Sequence, residues 1–357
     1  MQKAIVVQSV SEPVRLIERR IPEPGENQVL VQVTAASLNP MDQKTRDAGL
    51  FFKQSPQVVA HDIAGRVIKL GPNQKPPRFH IGDNVFAHAS FVPGQSLTDC
   101  GGLQQFAIVD ACYAAQTDAA GLTDNESATI PVCAIAAFIA LFHSSGLGLP
   151  IPSSSLENPK STCCSADGRK AILVIGGGSN CGRFAIEFAR MSGFRQIITV
   201  AGQRSVAELQ ELGATHVIDR QASRDEIIRQ ARGIVGDELV YALDAVNMGL
   251  EQDLGLAALS NSKRGCLITL NPVNESIPDP TFIGEKLAGY DRRLTFGFSA
   301  LYPEVSKFFW DFISTWIKAG YIHPLKYHVL EGLDVARINH VLDQYREGHG
   351  QKTVIRP

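Results

Sequence analysis

Residues Ile172-Leu173-Val174-Ile175-Gly176-Gly177-Gly178-Ser179-Asn180-Cys181-Gly182 decide the fold. Four aliphatic residues in a row suit a strand buried on both faces. Three glycines end it. Phe184, Ile186, Phe188 and Ala189 then follow near helical spacing over 182–192. Strand, tight glycine turn and helix together make the turn that holds a dinucleotide pyrophosphate. Glycine lets the phosphates approach the backbone, and the free N–H groups and dipole of the helix N-terminus attract their charge. In the frame Gly177, Ser179, Gly182 the pattern is G-x-S-x-x-G, with serine in place of the middle glycine. Gly177, Gly178, Ser179, Asn180, Cys181 and Gly182 are the candidate phosphate contacts.

The rhythm continues on the C-terminal side. Strands are expected at 196–201, 216–218, 239–245 and 265–270, and helices at 205–212 and 224–233. Such β-α-β alternation implies a parallel, doubly wound sheet with right-handed crossovers. The end of the second strand discriminates between nucleotides. Binders of NAD place an acid there, about 20 residues after the glycine turn, to hold the ribose 2′-hydroxyl. Here the strand ends Thr199-Val200-Ala201-Gly202-Gln203-Arg204, and no Asp or Glu stands between Glu187 and Glu208. Ala201 and Gln203 leave room, and the Arg204 guanidinium matches a 2′-phosphate. NADPH is therefore expected as the cofactor.

On the N-terminal side the pattern differs. Ala4–Val7, Val29–Val33 and 58–70 are β-branched runs separated by Pro/Gly turns, which suits a small barrel over the first 110 residues. Asp124-Asn125-Glu126 is expected to cap a helix running through Ala128 to Phe142. Residues 150–168 are rich in Ser, Pro and Cys and read as a surface loop or inserted hairpin. Helices are expected at 305–318 and 333–346, and a last strand at 352–355.

Composition removes other classes. The 357 residues are 44% hydrophobic and 20% charged, with a formal charge of −2. That is ordinary for a globular chain and exerts no general pull on nucleic acid or anionic membrane. Met1-Gln2-Lys3-Ala4-Ile5-Val6-Val7 is too short an apolar core for a secretory signal, so a cytoplasmic address is expected. Seven cysteines without a signal are expected as thiols. Adjacent Cys163 and Cys164 suit a disulfide poorly. No G-x-S-x-G or Walker A sequence competes.

A zinc centre needs Cys, His or carboxylate ligands converging from separate segments. His61-Asp62 is the one His–carboxylate doublet of the N-terminal region. Near residue 40, where a cysteine partner is wanted, stands Leu38-Asn39-Pro40-Met41-Asp42. No metal is expected, and His61 reads as a packed turn residue. Without a Lewis acid for an unactivated alcohol, the chemistry leans toward an activated C=C or a quinone.

Several segments carry a family resemblance: Ala36-Ser37-Leu38-Asn39-Pro40-Met41-Asp42-Gln43-Lys44, Ala60-His61-Asp62-Ile63-Ala64-Gly65-Arg66-Val67 and Gly82-Asp83-Asn84-Val85-Phe86. To these add the glycine turn, Leu212-Gly213-Ala214-Thr215-His216-Val217-Ile218-Asp219 and the ending Lys352-Thr353-Val354-Ile355-Arg356-Pro357. On these the chain resembles, along essentially its whole length, the zinc-independent, quinone-reductase-like branch of the medium-chain dehydrogenase/reductases. Within that branch it is most similar to fungal trans-acting polyketide enoyl reductases.

The resemblance implies an α/β protein of two domains. A GroES-like β-barrel catalytic domain covers 1–128 and is completed by 302–357, and a Rossmann domain covers 129–301. It implies Lys44 near the substrate, Asn39 near the nicotinamide, and Val246, Leu270 and Lys352 as further cofactor contacts. The substrate is a small molecule or a carrier-bound acyl chain, with a polyketide synthase as partner and a monomer or homodimer as the assembly. Ala136 stands where relatives often carry threonine, which removes a hydroxyl and leaves the proton donor unassigned. Three alternatives stay open: a stand-alone ketone or quinone oxidoreductase, a nucleotide-binding partner protein without catalysis, and a redox sensor at Cys163-Cys164, which disulfide geometry disfavours.

Overall fold

A computed structural model describes residues 1–72, 77–89, 99–152, 171–272 and 278–357. Most of the expected 150–168 loop, with Cys163 and Cys164, lies outside the described residues. The chain divides into two compact units, Met1–Val132 with Phe298–Pro357, and Cys133–Gly297.

Following the chain, the first unit opens with β1 (Gln2–Val7), β2 (Arg15–Arg19), β3 (Gln28–Leu38), β4 (Gln57–Val58), β5 (Asp62–Leu70), β6 (Asn84–His88), β7 (Phe106–Asp110) and β8 (Ala114–Gln116). The second unit carries β9 (Ala171–Ile175), β10 (Gln196–Ala201), β11 (His216–Asp219), β12 (Tyr241–Asp244), β13 (Gly265–Thr269) and β14 (Tyr290–Leu294). The chain then returns to the first unit with β15 (His328–Glu331) and β16 (Thr353–Arg356).

In the first unit the strands order β15-β16-β3-β5-β6-β8, with β7 also on β3, beside a three-stranded sheet β2-β1-β4. The long β3 is the pivot. It pairs antiparallel with β5, β7 and β16, so the last strand of the chain completes the sheet begun by the first 110 residues. The helix Pro40–Ala48 follows β3 directly. Pro40 takes a first-turn position where its missing N–H costs nothing, and the Asp42 carboxylate accepts the Asn39 N–H at 2.7 Å.

The strand expected over 58–70 is broken. Ala60 has φ +67°, a left-handed conformation unusual for a residue with a Cβ. Asp42 Oδ1 takes the Ala60 N–H at 2.8 Å and holds the kink, so β4 and β5 are separate.

The second unit is an all-parallel sheet in the order β11-β10-β9-β12-β13-β14. The order reverses between β9 and β12, and β9 is buried at every residue. The edge strand β14 was not expected, because Tyr290-Asp291-Arg292-Arg293-Leu294 carries three charges. Charge on an edge strand is a usual guard against further pairing. The apolar helix expected through 128–142 begins only at Pro131, and a short helix Asp124–Ser127 precedes it, capped by Thr123 and Glu126. Residues 124–142 are long and apolar enough to cross a membrane, but 94% of that stretch is buried inside the protein, as in a core helix.

Candidate functional site

The glycine turn forms as expected between β9 and the helix Asn180–Met191. The Gly176 and Gly177 N–H groups both donate to Val200 O, which draws the turn against β10. Two glycines are required by space. A Cβ on Gly177 would lie 1.9 Å from Thr199 Oγ1, and one on Gly182 would lie 2.2 Å from Gly176 O. A Cβ on Gly178 would meet only ordinary contacts, the nearest being Ser205 Oγ at 3.4 Å, so that position tolerates a side chain. Ser179 is the N-cap, its Oγ accepting the Gly182 N–H at 3.1 Å. Asn180 and Cys181 occupy the first helical positions and are partly exposed. Arg183, which the sequence reading passed over, donates to Gly178 O and pairs with Glu208.

Val246 lies over this turn, since a Cβ on Gly176 would meet its side chain at 2.5 Å. Val246 is itself 42% exposed. Its loop hangs on Asp244, whose Oδ1 accepts the Val246 and Asn247 N–H groups at 3.1 and 2.9 Å. Burial pushes the Asp244 carboxyl up to about 6. Leu270 N donates to Asp244 O, and Asn271 Nδ2 donates to Val246 O. Gly177, Val246 and Leu270 therefore follow the carboxyl ends of neighbouring strands β9, β12 and β13, beside the point where strand order reverses. Open α/β sheets bind their ligands there.

At the end of β10, Ala201 is buried while Gln203 and Arg204 are exposed. A second arginine joins them. Arg220 N donates to Ala201 O at 3.0 Å, and its Nε lies 3.7 Å from where a Gly202 Cβ would stand. The sequence reading missed it. The pairing of Ala201 with Asp219 across β10 and β11 is what delivers the next residue, Arg220, to this corner. Asp219 is the nearby acid. Its carboxyl accepts the Gln221 N–H and a hydrogen bond from the Gln203 side chain, which hold it below the usual carboxylate range. Backbone N–H groups at a helix start, a glycine turn and two guanidiniums fit a phosphorylated dinucleotide.

The remaining candidates form a second cluster, inside the first unit. Asn39 and Lys352 meet there, Lys352 Nζ donating to Asn39 Oδ1 at 2.8 Å. Lys352 was expected at the cofactor, but its ammonium turns inward and pairs with Asp62 Oδ2 at 2.5 Å, neither side chain being exposed. Asn39 Nδ2 donates to the same Asp62 oxygen, and Val132 N donates to Asp62 Oδ1. Asn39 is thus bound on both ends of its amide, as a brace of this network. Lys44 lies half-buried on the Pro40–Ala48 helix.

His61 borders the network. Its Nδ1 lies 2.9 Å from Ala89 O, and its ring sits T-shaped to that of His88, 6.5 Å between centroids. His88 is fully buried and stacks on Phe298. Burial, with His61 nearby, drives its pKa down to about 3, so it stays neutral. Among the described residues no three His, Cys, Asp or Glu side chains gather as a metal site. Ala136 packs against the chain at Gly297, where a Cβ would stand 2.5 Å from the Ala136 Cβ.

Residues 25–119 match the alcohol dehydrogenase GroES-like domain. The chain is 30% identical over 227 residues to the trans-enoyl reductase tazE of Aspergillus terreus, covering 62% of this chain and 69% of that protein. It is 26% identical over 341 residues to the dehydrogenase orsE of Emericella nidulans, covering 92% and 91%. In fold it is similar to an alcohol dehydrogenase superfamily protein from Novosphingobium aromaticivorans, with a TM-score of 0.75 and 23% identity over 100% of both chains.

Proposed function

The chain belongs to the medium-chain dehydrogenase/reductase superfamily and is an oxidoreductase of that type, and from this we propose an NADPH-dependent, zinc-independent reductase of α,β-unsaturated carbonyl compounds. The observation that carries the cofactor choice is the pair Arg204 and Arg220 at the end of β10, with no acid on that strand end. Gly177, Gly178 and the Ser179-capped helix would hold the pyrophosphate, and the two arginines the 2′-phosphate. When bound, the nicotinamide supplies the hydride, which an activated C=C accepts at its β-carbon. The zinc-independent reading rests on the donor set, an asparagine and a lysine-paired Asp62 where thiolates would be wanted.

The trans-acting role is supported by the relative tazE, which is named a trans-enoyl reductase. Its substrate class is then an acyl thioester on a carrier protein, and its partner a polyketide synthase. Fluorescence titration should give at least a tenfold preference for NADPH over NADH. Purified protein should reduce an α,β-unsaturated acyl thioester faster than ketones or quinones. A tenfold preference for NADH, or stoichiometric zinc in fresh protein, would overturn the corresponding part. Turnover of free quinones alone would favour a stand-alone quinone reductase.

A further inference from the structure

Reduction of an activated C=C needs a proton as well as a hydride, and the groups of the first unit narrow where it is held. Asp42 is buried and spends its two oxygens on the Asn39 and Ala60 N–H groups. Asp62 accepts from Asn39, Val132 and Lys352. Lys352 is fully buried on Asp62 and Asn39. His88 is kept neutral, with Nδ1 on Ser299 Oγ, which in turn accepts from Trp310 Nε1. Asp42, Asp62 and Lys352 are held in buried bonds, while His88, whose Nε2 has no hydrogen-bond partner among the described residues, is fully buried and presents no surface to a substrate.

His61 differs. Its backbone O accepts the Ala89 N–H, and its Nδ1 faces Ala89 O at 2.9 Å. A carbonyl only accepts, so Nδ1 carries hydrogen and Nε2 is the nitrogen that gains and loses a proton. The orientation is imposed from behind. The left-handed Ala60 is held by Asp42 on its N–H and by the Gly102 N–H on its carbonyl, at 2.8 and 2.6 Å. A left-handed residue with a side chain persists only where its surroundings hold it, as these two bonds do. Burial raises the Asp42 carboxyl above its ordinary value, and the neighbouring His61 ring counters part of that rise. Asp62 is balanced by Lys352, and His88 brings no charge.

We propose that His61 is the catalytic acid, passing the proton on Nε2 to the substrate carbon α to the carbonyl. This rests on the reductase reading above. Once the β-carbon has taken the hydride, the α-carbon holds the electron pair of an enolate. The His61 Nε2–H bond breaks, a C–H bond forms at the α-carbon, and the ring is left neutral with hydrogen on Nδ1. Water then restores the Nε2 proton.

Three measurements test it. In ligand-free protein at alkaline pH, nitrogen-15 NMR should show neutral His61 as the Nδ1–H tautomer; an Nε2–H tautomer would overturn the assignment. His61→Gln should lower kcat at least 100-fold while NADPH affinity stays within threefold. With an α-methyl enoyl thioester, the wild type should give one α-stereoisomer, and the residual product of His61→Gln should be mixed, because solvent then protonates either face. Residual product of unchanged stereochemistry, or activity within threefold of wild type, would overturn the role of His61. If His61→Gln fails to fold, His61→Asn is read the same way and the tautomer decides independently. A wild type that reduces no unsaturated carbonyl would instead sink the reductase reading, and the assignment with it.

Discussion

Lys352 and Asp62 meet at 2.5 Å with neither side chain exposed, although 290 residues separate them. The pair ties β16 to the start of β5, and Asn39 bridges both partners. Removing one charge leaves the other buried without its counter-ion. Lys352→Met should destabilise the first unit by about 3–5 kcal/mol, read as a lowered urea midpoint. Adding Asp62→Asn should recover part of the loss, since the double variant buries no net charge.

Gly177 cannot carry a side chain while Thr199 stays in place. Thr199 Oγ1 donates to Val174 O at 2.8 Å, so the hydroxyl is not free to swing away. Gly177→Ala should move the turn off β10 and weaken NADPH binding at least tenfold, with about 1–3 kcal/mol lost in stability. Gly178→Ala should fold normally, because its Cβ meets only ordinary contacts.

Arg220→Ala and Arg204→Ala should each weaken NADPH binding by about tenfold, the worth of a charge-assisted contact of about 1.4 kcal/mol. NADH binding should change little. Equal losses for both nucleotides would show that the arginines support the fold of the corner instead of reading a 2′-phosphate.

Asp244 makes stability pH-dependent with an unusual sign. Its folded pKa, about 6, lies above that of an unfolded aspartate, so the folded protein binds the extra proton. This contribution favours folding at acid pH and is lost as pH rises from about 4 through 6. Asp244→Asn keeps an acceptor for the Val246 and Asn247 N–H groups and cannot ionise. The stability of the variant relative to wild type should therefore rise by about 2–3 kcal/mol between pH 4 and pH 7, read by urea unfolding at both. A constant difference would refute the assignment.

Much was legible without coordinates wherever local rules and long-range packing agree. The run 172–182 announced strand, turn and helix because chain geometry alone makes glycine the residue for that corner, whereas the capping role of Ser179 emerged only in the structure. The β-α rhythm that follows implied the parallel sheet, since a crossover helix leaves few other pairings. Charged β14 was illegible because an edge strand is selected by its neighbour and not by its own composition. The break at Ala60 was illegible because it is imposed by Asp42, a side chain 18 residues away.

The nucleotide turn and the strand-end composition behind the cofactor choice were thus contained in the order of residues. Which polar side chains meet was not. Lys352 faces Asp62 because β16 pairs with β3 beside β5, and Arg220 reaches the end of β10 because β11 pairs in one register. Likewise His61 is aimed by Ala89 and Asp42, which lie on other segments. Such contacts arise only when distant strands are brought into register, and no local propensity encodes that.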